Sequence, residues 1–202
     1  MKIILASQSP RRKQLLEQAE IKFEIVVANT DESYPADLAV DAVPEFIARQ
    51  KAEAVLQRLQ AEEKWDNDTL IIAADTIVVL NNSIIGKPKD EQEAQHILRA
   101  LSGQCHTVIS GVYITNGKHS DSFHSNTKVH FGELSEAQIA HYISNYRPFD
   151  KAGAYAIQEW IGLVGITAIE GDIYNVIGLP VNKVIKSLHN FFAPQALSSS
   201  QT

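Results

Sequence analysis

Apolar positions recur along this chain in two rhythms, a strand-like run or alternation and a helical stripe, and the switches between them predict its elements. Lys2 to Ala6 is a short apolar strand. Ser7-Gln8-Ser9-Pro10 follows, where Ser9 can cap a helix and Pro10 fits its first turn. That helix is predicted to reach about Ala19 and to bury Leu15, Leu16 and Ala19. Phe23 to Val27 reads as a second strand, Asn29 to Val43 as an acid-rich loop and Pro44 to Leu59 as a helix. Leu70 to Ala74 is a continuous apolar strand predicted to end at Asp75, and Ile77 to Leu80 and Ser83 to Ile85 flank a tight turn at Asn81-Asn82.

Asp90 with Glu93 has the capping-box spacing, and Ala94, Ile97, Leu98 and Leu101 then form one helical stripe. His106 to Thr115 and Lys118 to Phe131 read as long strands meeting at Asn116-Gly117, a strong hairpin signal. Ser135 with Gln138 caps a helix to about Ser144, and Gly162 to Ile169 reads as a strand ended by Gly171-Asp172. A last helix from Pro180 is predicted to bury Val181, Val184, Ile185, Leu188, Phe191 and Phe192. No repeat or linker divides the chain, so the expectation is one α/β domain over residues 1–193 with a frayed Ser- and Gln-rich tail at 194–202.

Composition narrows the function. The 202 residues are 45% apolar, enough for one continuous core, and the net charge of -6 comes with no run of Lys and Arg that could track a nucleic-acid backbone. A small anion remains a fitting ligand, because a metal ion and a few converging cations can neutralise it locally. The single cysteine, Cys105, rules out an intramolecular disulfide and a four-cysteine zinc site and fits a reducing, cytoplasmic setting. No apolar stretch approaches the roughly 18 residues of a membrane span.

Three residues or pairs break local rules. Arg11-Arg12 lie in the first turn of the first helix, where a cation is disfavoured by about 0.3–1 kcal/mol. With free backbone N–H groups and the hydroxyls of Ser7 and Ser9 they can form an anion-binding nest; they can equally lie on the surface paired with Glu17 or Asp31. Lys51 shares a helix face with Ile47 and Val55, so it either snorkels to water or points into a cleft that holds an anion. Asp75 stands where a buried strand is predicted to run out, a position suited to metal or water chemistry and also to capping a turn. Glu32 in the acidic loop and Lys87 in Gly86-Lys87-Pro88 add groups suited to Mg²⁺-phosphate chemistry. A P-loop is excluded because Asn81 and Pro88 stand where Gly and Ser or Thr are needed. The seven histidines lack metal-ligand spacing, and neighbouring Cys105 and His106 read as structural.

Taken in order, Leu5-Ala6-Ser7-Gln8-Ser9-Pro10-Arg11-Arg12, Lys51-Ala52, Ala74-Asp75-Thr76, Gly86-Lys87-Pro88, Ser102-Gly103, Asp150-Lys151-Ala152-Gly153-Ala154-Tyr155-Ala156-Ile157-Gln158 and Gly178-Leu179-Pro180 resemble the Maf family of nucleoside triphosphate pyrophosphatases. The resemblance implies an α/β fold similar to inosine triphosphate pyrophosphatases: a mixed twisted sheet with flanking helices and two lobes around a central cleft. It further implies a divalent metal, Mg²⁺ or Mn²⁺, and often a homodimer. The stretch Asp150 to Gln158 is similar to the branch that prefers dTTP and UTP, whereas the branch acting on 7-methyl-GTP departs from it around Ala152 to Gln158. A glutamine amide offers a donor and an acceptor side by side, complementary to the imide edge of uracil or thymine.

The resemblance makes Asp75 the proton acceptor and Arg11, Thr76 and Gln158 the positions that set substrate choice. The chemistry expected is attack of water on the α-phosphorus, with Glu32 and Asp75 as metal ligands, Asp75, Glu32 and Lys51 catalytic, and Ser7, Arg11, Arg12, Thr76, Lys87 and Gln158 binding substrate. It requires acidic side chains on one side of a triphosphate and basic ones on the other. The competing readings are a pyrophosphatase of 7-methyl-GTP or broad base preference, and a non-catalytic nucleotide sensor acting in cell division.

Overall fold

A computed structural model of the chain describes residues 1–66 and 68–192; the tail expected at 194–202 lies outside the described residues. Its centre is a seven-stranded mixed sheet in the order β2-β1-β3-β5-β6-β7, with β4 paired to β3. β1 (Lys2–Leu5) runs parallel to both β2 (Glu24–Ile25) and β3 (Thr69–Leu80). The pairs of β3 with β4 (Ser83–Ile85) and β5 (Cys105–Thr115), of β5 with β6 (Ser120–Phe131), and of β6 with β7 (Ile166–Glu170) are antiparallel.

The helices follow the apolar stripes closely. α1 (Pro10–Gln18) is capped by Ser9, whose hydroxyl accepts from the Arg12 N–H, and buries Leu15 and Leu16, with Ala19 only half-buried past its end. α2 (Val43–Ala61) starts after a 3₁₀ turn at Val40–Ala42 that ends the acidic loop. α3 (Glu91–Leu101) buries the stripe Ala94, Ile97, Leu98 and Leu101. Asp90 caps its start, but the Glu93 carboxylate accepts from the Lys89 N–H, so only half of the expected capping box forms. α4 (Glu136–Tyr146) has the complete Ser135–Gln138 box. α5 (Trp160–Gly165), α6 (Ile173–Ile177) and α7 (Val181–Phe192) complete the set.

Several expectations are corrected. Asp75 is not at a strand end: β3 continues through it to Leu80, because β5 stays paired alongside from Ile71↔Thr115 to Val79↔Thr107. The strand expected over Gly162 to Ile169 is a helical turn to Gly165 and a strand only from Ile166. Gly162 donates its N–H to the Glu159 carbonyl, and a Cβ there would meet the Ile157 carbonyl oxygen at 1.8 Å, so the glycine permits a turn that folds back on residue 157. The hairpin turn takes four residues rather than two, with Thr115 paired to Ser120 and the Asn116 N–H bonded to the His119 carbonyl. On α7 the buried positions are Val184, Ser187 and Leu188; Phe192 is exposed, and Ser187 is tolerated inside because it donates to the Asp121 carboxylate.

The core divides along the long strands. Leu70, Ile72 and Ala74 of β3 pack with α1 and α7, while Ile71 and Ala73 on the opposite face pack with α2. Beyond them Val78 joins a separate cluster with α3, α4 and Tyr155. Asp75 and Thr76 fall between these clusters, the one place where the middle of β3 is only half-buried.

Candidate active site

The interruption extends to the sheet itself. On the edge of β3 away from β5, β1 reaches only to Leu5 opposite Ile72, with the Ala6 N–H bonding the Ile72 carbonyl, and β4 begins only at Val78. Residues 73–77 have no strand on that side, and a cleft of about 530 Å³ opens there. Side chains alternate along a strand, so Asp75 turns to the α2 face and Thr76 to the α1 and α6 face. Beside an open edge both reach the same cleft.

Lys51 reaches it from α2, between Ile47 and Val55, which are buried as its helix face requires. Its ammonium does not snorkel out. Nζ lies 2.7 Å from Asp75 Oδ1 and 2.9 Å from Glu32 Oε1, with the side chain only 16% exposed and that of Asp75 14%. Glu32 is presented from the loop in a left-handed conformation, φ 52°, and its side chain is 47% exposed. Partial burial pushes the Glu32 carboxyl up, but the hydrogen bond from Lys51 and the charges of Lys51, Lys87 and Arg12 outweigh it and hold the group below the ordinary range. What seats α2 so closely is Gly111, the β5 partner of Asp75: a Cβ there would stand 2.2 Å from the Glu45 nitrogen and 2.3 Å from the Pro44 carbonyl carbon.

On the other face, Arg12 is 8% exposed and has no carboxylate bonded to it among the described residues. It donates from Nε to the Gly178 carbonyl at 2.9 Å, from one terminal nitrogen to Ser7 Oγ at 3.1 Å and from the other to Thr76 Oγ1 at 3.0 Å. Burial lowers its pKa, with the charge of Asp75 acting in the opposite sense. Two of its five N–H donors are left for a ligand. Thr76 in turn meets Ser110 Oγ at 2.8 Å, and Ser110 donates to the Asn175 carbonyl at 3.0 Å. The Asn175 amide is wholly buried and bonded to the Ser110 N–H, the Val108 carbonyl and Thr127 Oγ1. This chain fixes the direction of the Thr76 hydroxyl.

The alternative of two surface arginines paired with Glu17 or Asp31 is therefore overturned. Arg12 is interior, Arg11 pairs with Asp150 at 3.1 Å, and Glu17 pairs with Lys13. All nine residues singled out from the sequence, Ser7, Arg11, Arg12, Glu32, Lys51, Asp75, Thr76, Lys87 and Gln158, line the one cleft. The expected separation of acids from bases does not hold in detail, since Lys51 sits on the acidic pair. Two charged residues that line the cleft, Asp150 and Lys151, carry no role in the sequence reading. Asp150 ties Arg11 to Lys151, and Lys151 is a buried lysine bonded to Asp150 at 2.8 Å and 3.5 Å from Glu159. The Asp-Lys pair was the available signal. For Ser110 and Asn175 there was none, because only strand register turns Ser110 inward opposite Thr76.

The donor set fits a divalent ion brought in with a phosphate ligand. Two carboxylates from different segments converge on one cation, the Lys51 ammonium, each with a second oxygen to spare. Mg²⁺ typically takes one or two carboxylates and completes its shell with water and substrate phosphates. Among the described residues there is no group of three or more His, Cys, Asp and Glu side chains arranged to hold a metal on their own.

Fold and cleft together define a class: an α/β protein whose sheet is broken by a cleft lined with arginines, lysines and carboxylates. The Maf-like protein family model matches residues 2–191, and the chain belongs to that family. It is 50% identical over 193 residues to a protein of Cytophaga hutchinsonii named dTTP/UTP pyrophosphatase, covering 96% of this chain and 85% of that one. Proteins of the same name from Porphyromonas gingivalis and Bacteroides thetaiotaomicron are each 44% identical, covering 94% and 92% of this chain and 94% of each relative. Among solved structures, the Staphylococcus aureus Ham1 protein overlaps 65% of this chain and 72% of its own, at 13% identity and a TM-score of 0.45, too distant for any inference to rest on it. No helix among the described residues is long and apolar enough to cross a membrane.

Proposed function

We propose that this chain hydrolyses dTTP and UTP to the nucleoside monophosphate and pyrophosphate, with a divalent metal, as an enzyme that keeps the cytosolic nucleotide pool in order. The observation that carries the reading is Lys51, held between Asp75 and Glu32 in the same cleft as Arg11, Arg12 and Lys87. The relatives named dTTP/UTP pyrophosphatase support the choice of substrate.

Asp75 has one oxygen committed to Lys51 and the other free, so it can orient a water and take its proton. Water oxygen bonds to the α-phosphorus, the bond from that phosphorus to the bridging oxygen breaks, and pyrophosphate leaves with the electron pair. Charge grows on the bridging oxygen in that transition state, so Arg11, Arg12, Lys51 and Lys87 lower the barrier rather than only tightening binding. Glu32 and Asp75 would hold the metal, which when bound neutralises charge on the phosphate oxygens. Gln158 is exposed at the rim of the cleft, in reach of a base. Its amide matches the imide edge of uracil and thymine.

The test is pyrophosphate release with Mn²⁺ or Mg²⁺ from a panel of triphosphates. Turnover of dTTP and UTP ahead of CTP, GTP and 7-methyl-GTP is expected. Asp75→Asn should abolish turnover while calorimetry still detects nucleotide binding; a near-normal rate in that variant removes Asp75 from the mechanism. Binding without hydrolysis in the unaltered protein favours the nucleotide-sensor reading instead.

A further inference from the structure

We propose that Tyr142 and Glu159 form a clamp that positions Gln158 for selection of the base; this deepens the role given to Gln158 above and rests on it. Gln158 projects from a short segment between the 3₁₀ turn at Ala152–Ala154 and α5. Its amide makes no hydrogen bond among the described residues, so nothing local to the side chain fixes where it is presented. The backbone on either side is fixed. The Tyr142 hydroxyl accepts the Ala156 N–H at 3.1 Å, two residues before Gln158, and donates to the carboxylate of Glu159, one residue after it. One phenol thus ties both flanks of the glutamine to α4.

The surroundings make this tie rigid. Tyr142 is wholly buried and Ala156 nearly so, so an unpaired N–H or hydroxyl there would be costly. Burial, first, and then the bond to Glu159 push the Tyr142 pKa up, so the hydroxyl keeps its proton and acts as donor to the carboxylate. Glu159 is held in turn by Lys151 at 3.5 Å, which bonds Asp150 at 2.8 Å, and Asp150 pairs with Arg11 at 3.1 Å. A polar chain therefore runs from Arg11, at the start of α1, to the loop that carries Gln158. It fixes the distance between the proposed phosphate and base subsites. A tyrosine present only to fill the core would not need its hydroxyl at the meeting point of these groups.

Uracil and cytosine differ at the very edge a glutamine amide would read, N–H and C=O in one, a ring nitrogen and an amino group in the other. Selection then depends on where the amide is presented relative to the triphosphate, hence on the rigidity of its backbone. The experiment compares kcat/KM for UTP and CTP, by pyrophosphate release, in the unaltered protein, Tyr142→Phe, Gln158→Ala and the double variant. Inhibition by inorganic tripolyphosphate, which has no base, is measured alongside. Tyr142→Phe is expected to narrow the UTP-over-CTP preference by about tenfold while tripolyphosphate inhibition stays within about twofold. The double variant should narrow it no further than Gln158→Ala alone.

If Tyr142→Phe lowers UTP and CTP by the same factor, the hydroxyl serves stability only and the proposal is overturned. If Gln158→Ala leaves the preference intact, the base-reading role of Gln158 falls and the clamp with it. A narrowed preference in Gln158→Ala but not in Tyr142→Phe overturns the clamp alone. Should Tyr142→Phe fail to fold, Glu159→Gln decides by the same ratio: narrowing supports the clamp and an unchanged preference overturns it.

Discussion

The close seat of α2 on the sheet can be tested by adding one methyl group, Gly111→Ala. The new Cβ would stand 2.2 Å from the Glu45 nitrogen and 2.3 Å from the Pro44 carbonyl carbon, both backbone atoms that cannot rotate away. Reaching ordinary contact near 3.4 Å requires the start of α2 to lift by about 1.2 Å. A helix moves as a rod, and Lys51 lies six residues further on, about 9 Å along the axis. Its ammonium bonds Asp75 at 2.7 Å, so a lift of this size takes the pair out of hydrogen-bond range. Overpacking of this kind costs about 1–3 kcal/mol, and a chain of this length loses roughly 2–4 °C in Tm per kcal/mol. Misplacing a catalytic group by about 1 Å can cost about a hundredfold in rate. The assay pairs thermal unfolding with kcat for UTP, using Gly86→Ala as the stability control because a Cβ there meets nothing within 4 Å. A Gly111→Ala protein with unaltered Tm and kcat would refute the claim that this glycine sets the height of Lys51.

Other expectations follow from single contacts. Arg12→Lys keeps the charge but cannot serve the Gly178 carbonyl, Ser7 and Thr76 together, so KM for UTP should rise about 10–100-fold; an unchanged KM would count against Arg12 as a preorganised phosphate donor. Lys51→Met leaves the Asp75 and Glu32 carboxylates facing each other without a shared cation. The Glu32 pKa, now held low, should then rise in a carbon-13 carboxyl titration, and no rise would show that Lys51 is not its main partner. His106 is buried, and that burial, with the charge of His130, lowers its pKa from 6.5 to about 4. The unfolded chain therefore binds the extra proton between those values, and the neutral ring's stability, complete above pH 6.5, is lost as pH falls toward 4. That loss is about 3 kcal/mol. Urea unfolding from pH 7 to 4 should show it, and His106→Phe should flatten the profile whatever constant cost it carries. A profile that keeps its slope in the variant refutes the assignment.

Local rules made much of the chain legible. Ser9 before Pro10, Ser135 with Gln138 and the stripe from Ala94 to Leu101 name their helices because capping and 3.6-residue periodicity act within a few residues. Residues that offend such rules were equally visible: Arg11 and Arg12 in a helix's first turn, Lys51 on an apolar face. Each offence signalled a compensation supplied from elsewhere. The same locality explains the misses. Nothing near Asp75 says that β5 pairs alongside it to Val79, so a charged residue read as the end of a strand that in fact continues. Gly162 looked like a strand start because the Ile157 carbonyl it folds against is not a neighbour in its own periodic pattern.

What the sequence determined by itself is the identity of the chemical groups and the elements that carry them. What only the tertiary structure decided is their company. The missing neighbour on one edge of β3 lets Asp75 and Thr76, pointing to opposite faces, enter one cleft. Gly111 sets the height of Lys51 over Asp75, and Asn175 aims the Thr76 hydroxyl through Ser110. These depend on strand register and on how closely a helix approaches a sheet. Both are settled by contacts between segments far apart in the chain, and no local pattern of residues encodes them.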